Sequence, residues 1–161
     1  MMVIVVMGVS GAGKTTVGRE LAKRLGVDYA EADEFHPPEN IAKMSAGTPL
    51  TDDDRWPWLQ AIAAWISDHQ QTSGVVTSSA LKRKYRDVLR TGGEVFFVHL
   101  DGTRELIAER LAARKGHFMP PALLDSQIAD LEPLQPDERG VVLDIDAEPD
   151  ELVEAAVRAA R

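Results

Sequence analysis

The chain has no cysteine, which excludes disulfides and thiolate metal sites and is compatible with a reducing compartment. Basic residues are in deficit: 18 Lys and Arg stand against 26 Asp and Glu, a net charge of −8. A general nucleic-acid binder needs the opposite balance, so an anionic substrate must meet a local basic cluster. Long hydrophobic runs are missing as well. The N-terminal apolar run Val3-Ile4-Val5-Val6-Met7 is too short for a membrane span or a signal peptide and leads straight into a glycine-rich loop. A cytoplasmic chain with neither a membrane nor a nucleic-acid partner is expected. Internal repeats, low-complexity tracts and interdomain linkers are also lacking. The 161 residues, 44% of them hydrophobic, are enough for the core of one domain spanning 1–161.

What is present is a phosphate loop. Gly8-Val9-Ser10-Gly11-Ala12-Gly13-Lys14-Thr15-Thr16 fits G-x-x-x-x-G-K-[ST] directly after the first apolar run, the order strand, loop, helix that the motif requires. Glycines let backbone N–H groups turn inward on a phosphate, and the helix that opens here adds its positive end. Lys14 is placed to reach the β- and γ-phosphates and Thr15 to offer its hydroxyl to Mg²⁺. The pattern points to a nucleoside triphosphate and is silent about the acceptor.

The rest of the chain alternates strands and helices. Val17, Leu21 and Leu25 predict a buried stripe on the first helix, stopped by Gly26. Asp28 to Asp33 reads as a second strand ending in carboxylates at the ligand-binding edge of a parallel sheet. There Asp33 is either a base for an acceptor hydroxyl or a solvated loop acid. His36, before Pro37-Pro38, touches substrate or simply sits in a turn. Ile41 to Ala46 predicts a short helix. Thr51 caps the next one, whose Asp52-Asp53-Asp54 suit the dipole and whose Trp58, Ile62, Trp65 and Ile66 face the core. Arg55 lies in that first turn, where a cation is unfavourable, and so hints at a nearby anion.

Gly74 to Ser79 reads as a buried strand and Ala80 to Arg90 as a helix with Leu81, Tyr85, Val88 and Leu89 inward. Lys82 and Arg86 either point into a site near the strand edge or belong to a solvated basic face. Glu94 to Leu100 is a strand of the apolar kind found in parallel sheets, and His99 within it reads as a core or edge histidine. Thr103 caps a helix with Leu106, Ile107 and Leu111 inward. Its far end carries Arg110 and Arg114 on one face, followed by Lys115-Gly116-His117-Phe118. The segment 114–127 has the character of a lid that closes on phosphates. A helix from Pro121 to Leu131, a strand from Val141 to Asp146 and a helix opened by Pro149 complete the chain. Five strands separated by helices predict an α/β three-layer fold on a parallel sheet.

Several blocks taken together resemble the small P-loop gluconokinases. They are the phosphate loop, Asp33 with Phe35-His36-Pro37, Asn40-Ile41-Ala42-Lys43-Met44, Gly47 to Arg55, Ser79-Ala80-Leu81-Lys82 with Tyr85-Arg86-Asp87, and Arg114 to Phe118. The resemblance covers nearly the whole chain. It implies a nucleoside-monophosphate-kinase-type fold close to shikimate kinase, and transfer of the ATP γ-phosphate to the 6-hydroxyl of D-gluconate, with Mg²⁺. It further implies a homodimer. Under it Lys14, Asp33 and Arg114 are catalytic, with Asp33 the base. ATP is held by Gly8, Ser10, Gly11, Ala12, Gly13, Lys14, Thr15 and Thr16, with adenine between Arg110 and Pro149. Asp33, His36, Arg55, Lys82, Arg86 and Gln127 are the substrate candidates. The family's Asp-Gly before the base is Glu31-Ala32 here, and its cysteine before Ser-Ala-Leu-Lys is Ser78. Because Val75-Val76 leads to Thr77-Ser78 rather than to an aspartate, Mg²⁺ is left to Thr15, phosphates and water, with Asp33 helping indirectly. Two other readings are a shikimate or nucleoside monophosphate kinase, and a nucleotide-responsive switch without turnover.

Overall fold

The structure, a computed structural model, describes residues 2–113 and 121–160. Five strands, β1 (Val3–Met7), β2 (Asp28–Glu31), β3 (Gly74–Thr77), β4 (Val95–Asp101) and β5 (Gly140–Asp144), form one sheet in the order β2-β3-β1-β4-β5. Every neighbouring pair is parallel, as the strand-helix alternation predicts. The helices are α1 (Lys14–Leu25), α2 (Pro38–Ser45), α3 (Asp52–Asp68), α4 (Arg83–Arg90), α5 (Arg104–Ala112), α6 (Pro121–Asp130) and α7 (Pro149–Ala159).

Both faces of the sheet are covered, which is why the central strands are apolar without alternation. Ile4, Val6, Val75, Phe96 and Val98 pack on α1, α5 and α7 through Leu21, Ile107, Leu111 and Val153. Val3, Val5, Met7, Val76 and Phe97 pack on α3 and α4 through Leu59, Ile62, Ile66 and Leu89. Central β1 therefore delivers its C-terminal loop to the middle of the sheet edge. The chain leaves there toward β2, beyond β3, while β4 lies on the other side, the switch-point arrangement that opens a ligand crevice.

Local differences from the sequence reading have physical causes. Leu25 is 39% exposed, because each four-residue step drifts about 40° around a helix; Ala22 takes the buried place. Strand β2 stops at Glu31, and Ala32–Phe35 forms a 3-10 turn whose first carbonyl is taken by the Trp58 indole N–H at 2.7 Å. Helix α4 starts at Arg83 rather than Ala80, since Ala80 is left-handed with φ 46 and Lys82 is extended. Thr51 and Thr103 cap their helices as expected, Thr51 in a full capping box with Asp54.

His99 on β4 is only 3% exposed, and among the described residues neither of its ring nitrogens has a hydrogen-bond partner. Burial pushes its imidazole below the ordinary value, opposed by Asp101 and assisted by Arg86. The unfolded chain therefore binds this proton more readily than the fold does, so stability is full above about pH 6.5 and is lost as pH falls below it. Half-buried His36 is shifted in the same direction. The melting temperature is expected to fall between about pH 7 and pH 5.5, a window above the carboxylate range. His99→Phe is expected to flatten that slope by up to about 1.4 kcal/mol per pH unit, read by thermal unfolding across the range.

Candidate active site

The phosphate loop is shaped by conformations that few residues adopt. Gly13 has φ 94 in open space, so the left-handed backbone alone calls for glycine. Gly11 has φ 87, and a Cβ there would lie 2.7 Å from Leu111 Cγ. Helix α1 opens on Gly13 with no side-chain cap and no acid in its first turn. The positive end of its dipole thus faces the loop without a competing carboxylate. The Lys14 ammonium donates to the carbonyls of Gly8 at 2.8 Å and Val9 at 3.2 Å, folded along the loop it serves. Beside Thr15, the Tyr29 hydroxyl donates to Glu31 at 3.0 Å. Burial and that bond push Tyr29 up to about 12, while the Thr77 and Thr15 hydroxyls act the other way.

A cavity of about 200 Å³ adjoins the loop, lined by Gly11, Ala12, Gly13, Thr16, Arg110 and Pro149 among others. Arg110 is held there by a 2.6 Å bond from its guanidinium to the Ile145 carbonyl. The structure thus brings Arg110, Pro149 and the loop residues together in one place.

A second group assembles from the 3-10 turn after β2 and from α2, α3 and α4. Trp58, which the helical spacing marks as packing, also stacks on His36 with ring centroids 4.1 Å apart. Its indole bond to Ala32 tethers the backbone next to Asp33. Asp33 and Arg55 both act on the His36 imidazole, Asp33 raising and Arg55 lowering its proton affinity, though burial is the larger influence. Buried Asn40 lies 3.3 Å from His36 Nδ1 and donates to the Asp54 carbonyl at 2.9 Å, tying α2 to α3. The Lys43 ammonium, 2.8 Å from Asp54, holds that carboxyl down to about 2, helped by the Thr51 N–H.

Arg55 meets α4 at Tyr85. Its guanidinium donates to the Tyr85 hydroxyl at 3.1 Å, and that hydroxyl donates to Asp52 at 2.6 Å. The Lys82 ammonium lies 5.8 Å from the Tyr85 ring centroid and the Arg55 guanidinium carbon 5.5 Å. Lys84, bonded to Asp52, and Tyr85 together hold that carboxyl down to about 2. Burial and the Asp52 contact push Tyr85 up to about 12. Two of the candidate substrate cations, Arg55 and Lys82, therefore converge on one buried tyrosine. In the sequence Tyr85 stands on an apolar helix face and in the Tyr85-Arg86-Asp87 block; its hydroxyl is the signal of a polar role.

Arg86 and Gln127 are placed differently from expectation. Arg86 is fully buried, paired with Glu138 at 2.7 and 3.0 Å and donating to the carbonyls of Ala80 at 2.9 Å, Leu81 at 3.3 Å and Pro133 at 3.3 Å. This is a correction: an arginine with its fork spent on a carboxylate and three carbonyls has no donor arrangement left for a substrate anion. Instead it pins the left-handed turn at Ala80 that delivers Lys82. The +4 spacing from Lys82 to Arg86 carried no sign of this, because Glu138 is far along the chain. Gln127 turns to the phosphate loop: its Oε1 accepts from the Ser10 N–H at 2.8 Å and its Nε2 donates to Ser10 Oγ at 3.3 Å. Arg114 and the 114–120 part of the proposed lid lie outside the described residues.

A five-stranded parallel sheet whose central strand feeds a glycine loop at the start of a helix is the architecture of the P-loop kinases. The shikimate kinase family model matches residues 10–140, and the chain is of that type. The gluconokinase of Gluconobacter oxydans is 47% identical over 158 residues, covering 96% of this chain and 89% of that one. A crystal structure of a gluconokinase from Sinorhizobium meliloti superposes with a TM-score of 0.90 at 48% identity, over 98% of this chain and 90% of that one. An unliganded sugar kinase from Janibacter superposes at 0.91 with 52% identity, over 99% and 94%. The chain belongs to the gluconokinase family.

Breaking a buried ion pair leaves an uncompensated charge. Arg86→Met is expected to lower stability by about 3–5 kcal/mol, measured by urea denaturation. Unchanged stability with a raised KM for the acceptor would return Arg86 to the substrate site.

Proposed function

We propose that this chain transfers the γ-phosphoryl group of ATP to the 6-hydroxyl of D-gluconate, giving 6-phospho-D-gluconate and ADP. The observation that carries this reading is the convergence of Arg55 and Lys82 on Tyr85 beside the His36 that responds to both Asp33 and Arg55. A sugar acid presents one carboxylate and a row of hydroxyls, and this cleft offers two cations with a histidine and a carboxylate. The names of the relatives support the same substrate.

In this reading the triphosphate lies along the loop amides of Gly8 to Thr16 with Lys14 on its terminal phosphates. Adenine occupies the cavity between Arg110 and Pro149. Asp33 accepts the proton of the 6-hydroxyl as the new O–P bond forms and the bond from the γ-phosphorus to ADP breaks. Arg55 and Lys82 hold the carboxylate end, so that the hydroxyl is presented in line. Arg114 belongs to the same proposal as a cation closing on the phosphates.

A hard divalent cation suits the donors present. The Thr15 hydroxyl would hold the ion together with phosphate oxygens and water, with Asp33 helping indirectly; among the described residues no group of three or more His, Asp or Glu is gathered to hold a metal. When bound, Mg²⁺ neutralises charge on the β- and γ-phosphates. Among the described residues no helix is long and apolar enough to cross a membrane, and a cytoplasmic homodimer completes the reading by family resemblance.

The test is ADP release from Mg-ATP with D-gluconate, shikimate, a nucleoside monophosphate panel or no acceptor. Gluconate-dependent release with 6-phosphogluconate as product is expected; release only with another acceptor, or with none, would overturn the assignment. Asp33→Asn is expected to lower kcat at least about 10²-fold while ATP still binds, and unchanged turnover would remove Asp33 as base. Arg55→Ala and Lys82→Ala are each expected to raise the gluconate KM about tenfold or more, the range for a charged hydrogen bond, with ATP affinity kept.

A further inference from the structure

Gln127 is the one expected substrate residue that reaches the nucleotide side of the site, and its contacts are specific. The backbone N–H of Ser10 can only donate, so the amide must present its oxygen there, at 2.8 Å, and its nitrogen to the Ser10 hydroxyl at 3.3 Å. That orientation follows from the donors rather than from a choice between flips. Ser10 stands near the start of the loop, the end assigned to the terminal phosphates in the reading above. The Lys14 ammonium, which serves the β- and γ-phosphates, rests on the carbonyls of Gly8 and Val9, immediately before Ser10. The cavity between Arg110 and Pro149 runs along the loop from Gly11 to Thr16 and does not include Ser10 in its lining.

The helix that carries Gln127 is also fixed on the acceptor side. Just beyond α6, the Glu132 N–H donates to the Leu81 carbonyl at 2.7 Å, and the Glu132 carboxylate accepts from the Arg83 N–H at 3.0 Å. These two residues flank Lys82. Leu124, buried in the core, seats the same helix between them. One rigid element thus grips the phosphate loop at Ser10 and the turn that presents a substrate cation at Lys82.

We infer that Gln127 is a positioning residue for phosphoryl transfer: it holds Ser10, the acceptor-side wall of the phosphate loop, in register with the Lys82 turn, next to the place of the terminal phosphoryl group. This rests on the kinase reading above. It differs from a substrate contact, because the amide is turned to the loop, and from simple packing, because both of its polar atoms are bonded to Ser10. Gln127→Glu separates these roles. The carboxylate keeps the length and can accept from both the N–H and the hydroxyl of Ser10, so the grip on the loop survives, while a negative charge is placed beside the terminal phosphate.

The experiment measures binding of Mg-ADP and of a non-hydrolysable Mg-ATP analogue by calorimetry, without acceptor, for the wild type and Gln127→Glu. The triphosphate is expected to weaken at least about tenfold and ADP less than about threefold. Equal weakening of both nucleotides, or no change in either, would overturn the inference. Should Gln127→Glu fail to fold, Gln127→Met decides, being similar in length and neutral: a kcat lowered about tenfold with ADP affinity kept supports the role, and wild-type kcat overturns it. Because the binding arm uses no acceptor, it stands or falls independently of whether gluconate is the sugar phosphorylated.

Discussion

Helix α1 must present its positive N-terminal end to the phosphate loop with no carboxylate of its own in the way. That constraint organises much of what surrounds it. It leaves Gly13 as a left-handed N-cap with no side-chain acceptor and keeps acids out of the first turn, whereas α3 and α5 start on Thr caps with acids behind them. An open helix end needs support from elsewhere. Here it comes from β1 at the centre of a sheet covered on both faces, and from Leu111 and Ile107 filling the space a side chain at Gly11 would occupy. The site is therefore rigid at its base, where charge must be met without reorganisation.

The surroundings of Arg55 and Lys82 are built by a different means. Polar contacts tie neighbouring elements together: Asn40 and Lys43 of α2 on Asp54, Asp52 of α3 on Tyr85 and Lys84, and Arg86 of α4 on Glu138. The acids of the Asp52-Asp53-Asp54 run thus do two jobs. They suit the helix dipole, and Asp52 and Asp54 also hold cations of neighbouring helices. Tyr85 is the hinge of this arrangement. Buried and bonded to Asp52, it accepts the Arg55 guanidinium at a fixed place, so a cation in an unfavourable first turn acquires a partner and an orientation.

Much of the fold could be read from the residues in order. Apolar runs of strand length separated by helical periodicity account for five parallel strands, Thr51 and Thr103 for two caps, and the glycine pattern for the phosphate loop. The pairing of Arg110 with Pro149 could be anticipated only by analogy, since nothing local links them. Arg86 is ambiguous in the sequence for a clear reason. A stripe of cations at four-residue spacing looks the same whether it faces solvent, a substrate or a buried glutamate, and the partner that decides lies on the far side of β4 in sequence. Gln127 was similarly ambiguous: a neutral amide on a helix carries no signal of which loop it will meet.

By itself the sequence determined the element types, the phosphate loop and the identity of its ligand class, because these depend on local backbone conformation and on spacing within one turn or strand. Only the tertiary structure decided the strand order, the union of Arg55, Lys82 and Tyr85, the burial of Arg86 and the grip of Gln127 on Ser10. Those outcomes depend on which distant groups meet in a medium of low dielectric, where every donor must find an acceptor. Partner choice of that kind is a property of the packed molecule rather than of any segment.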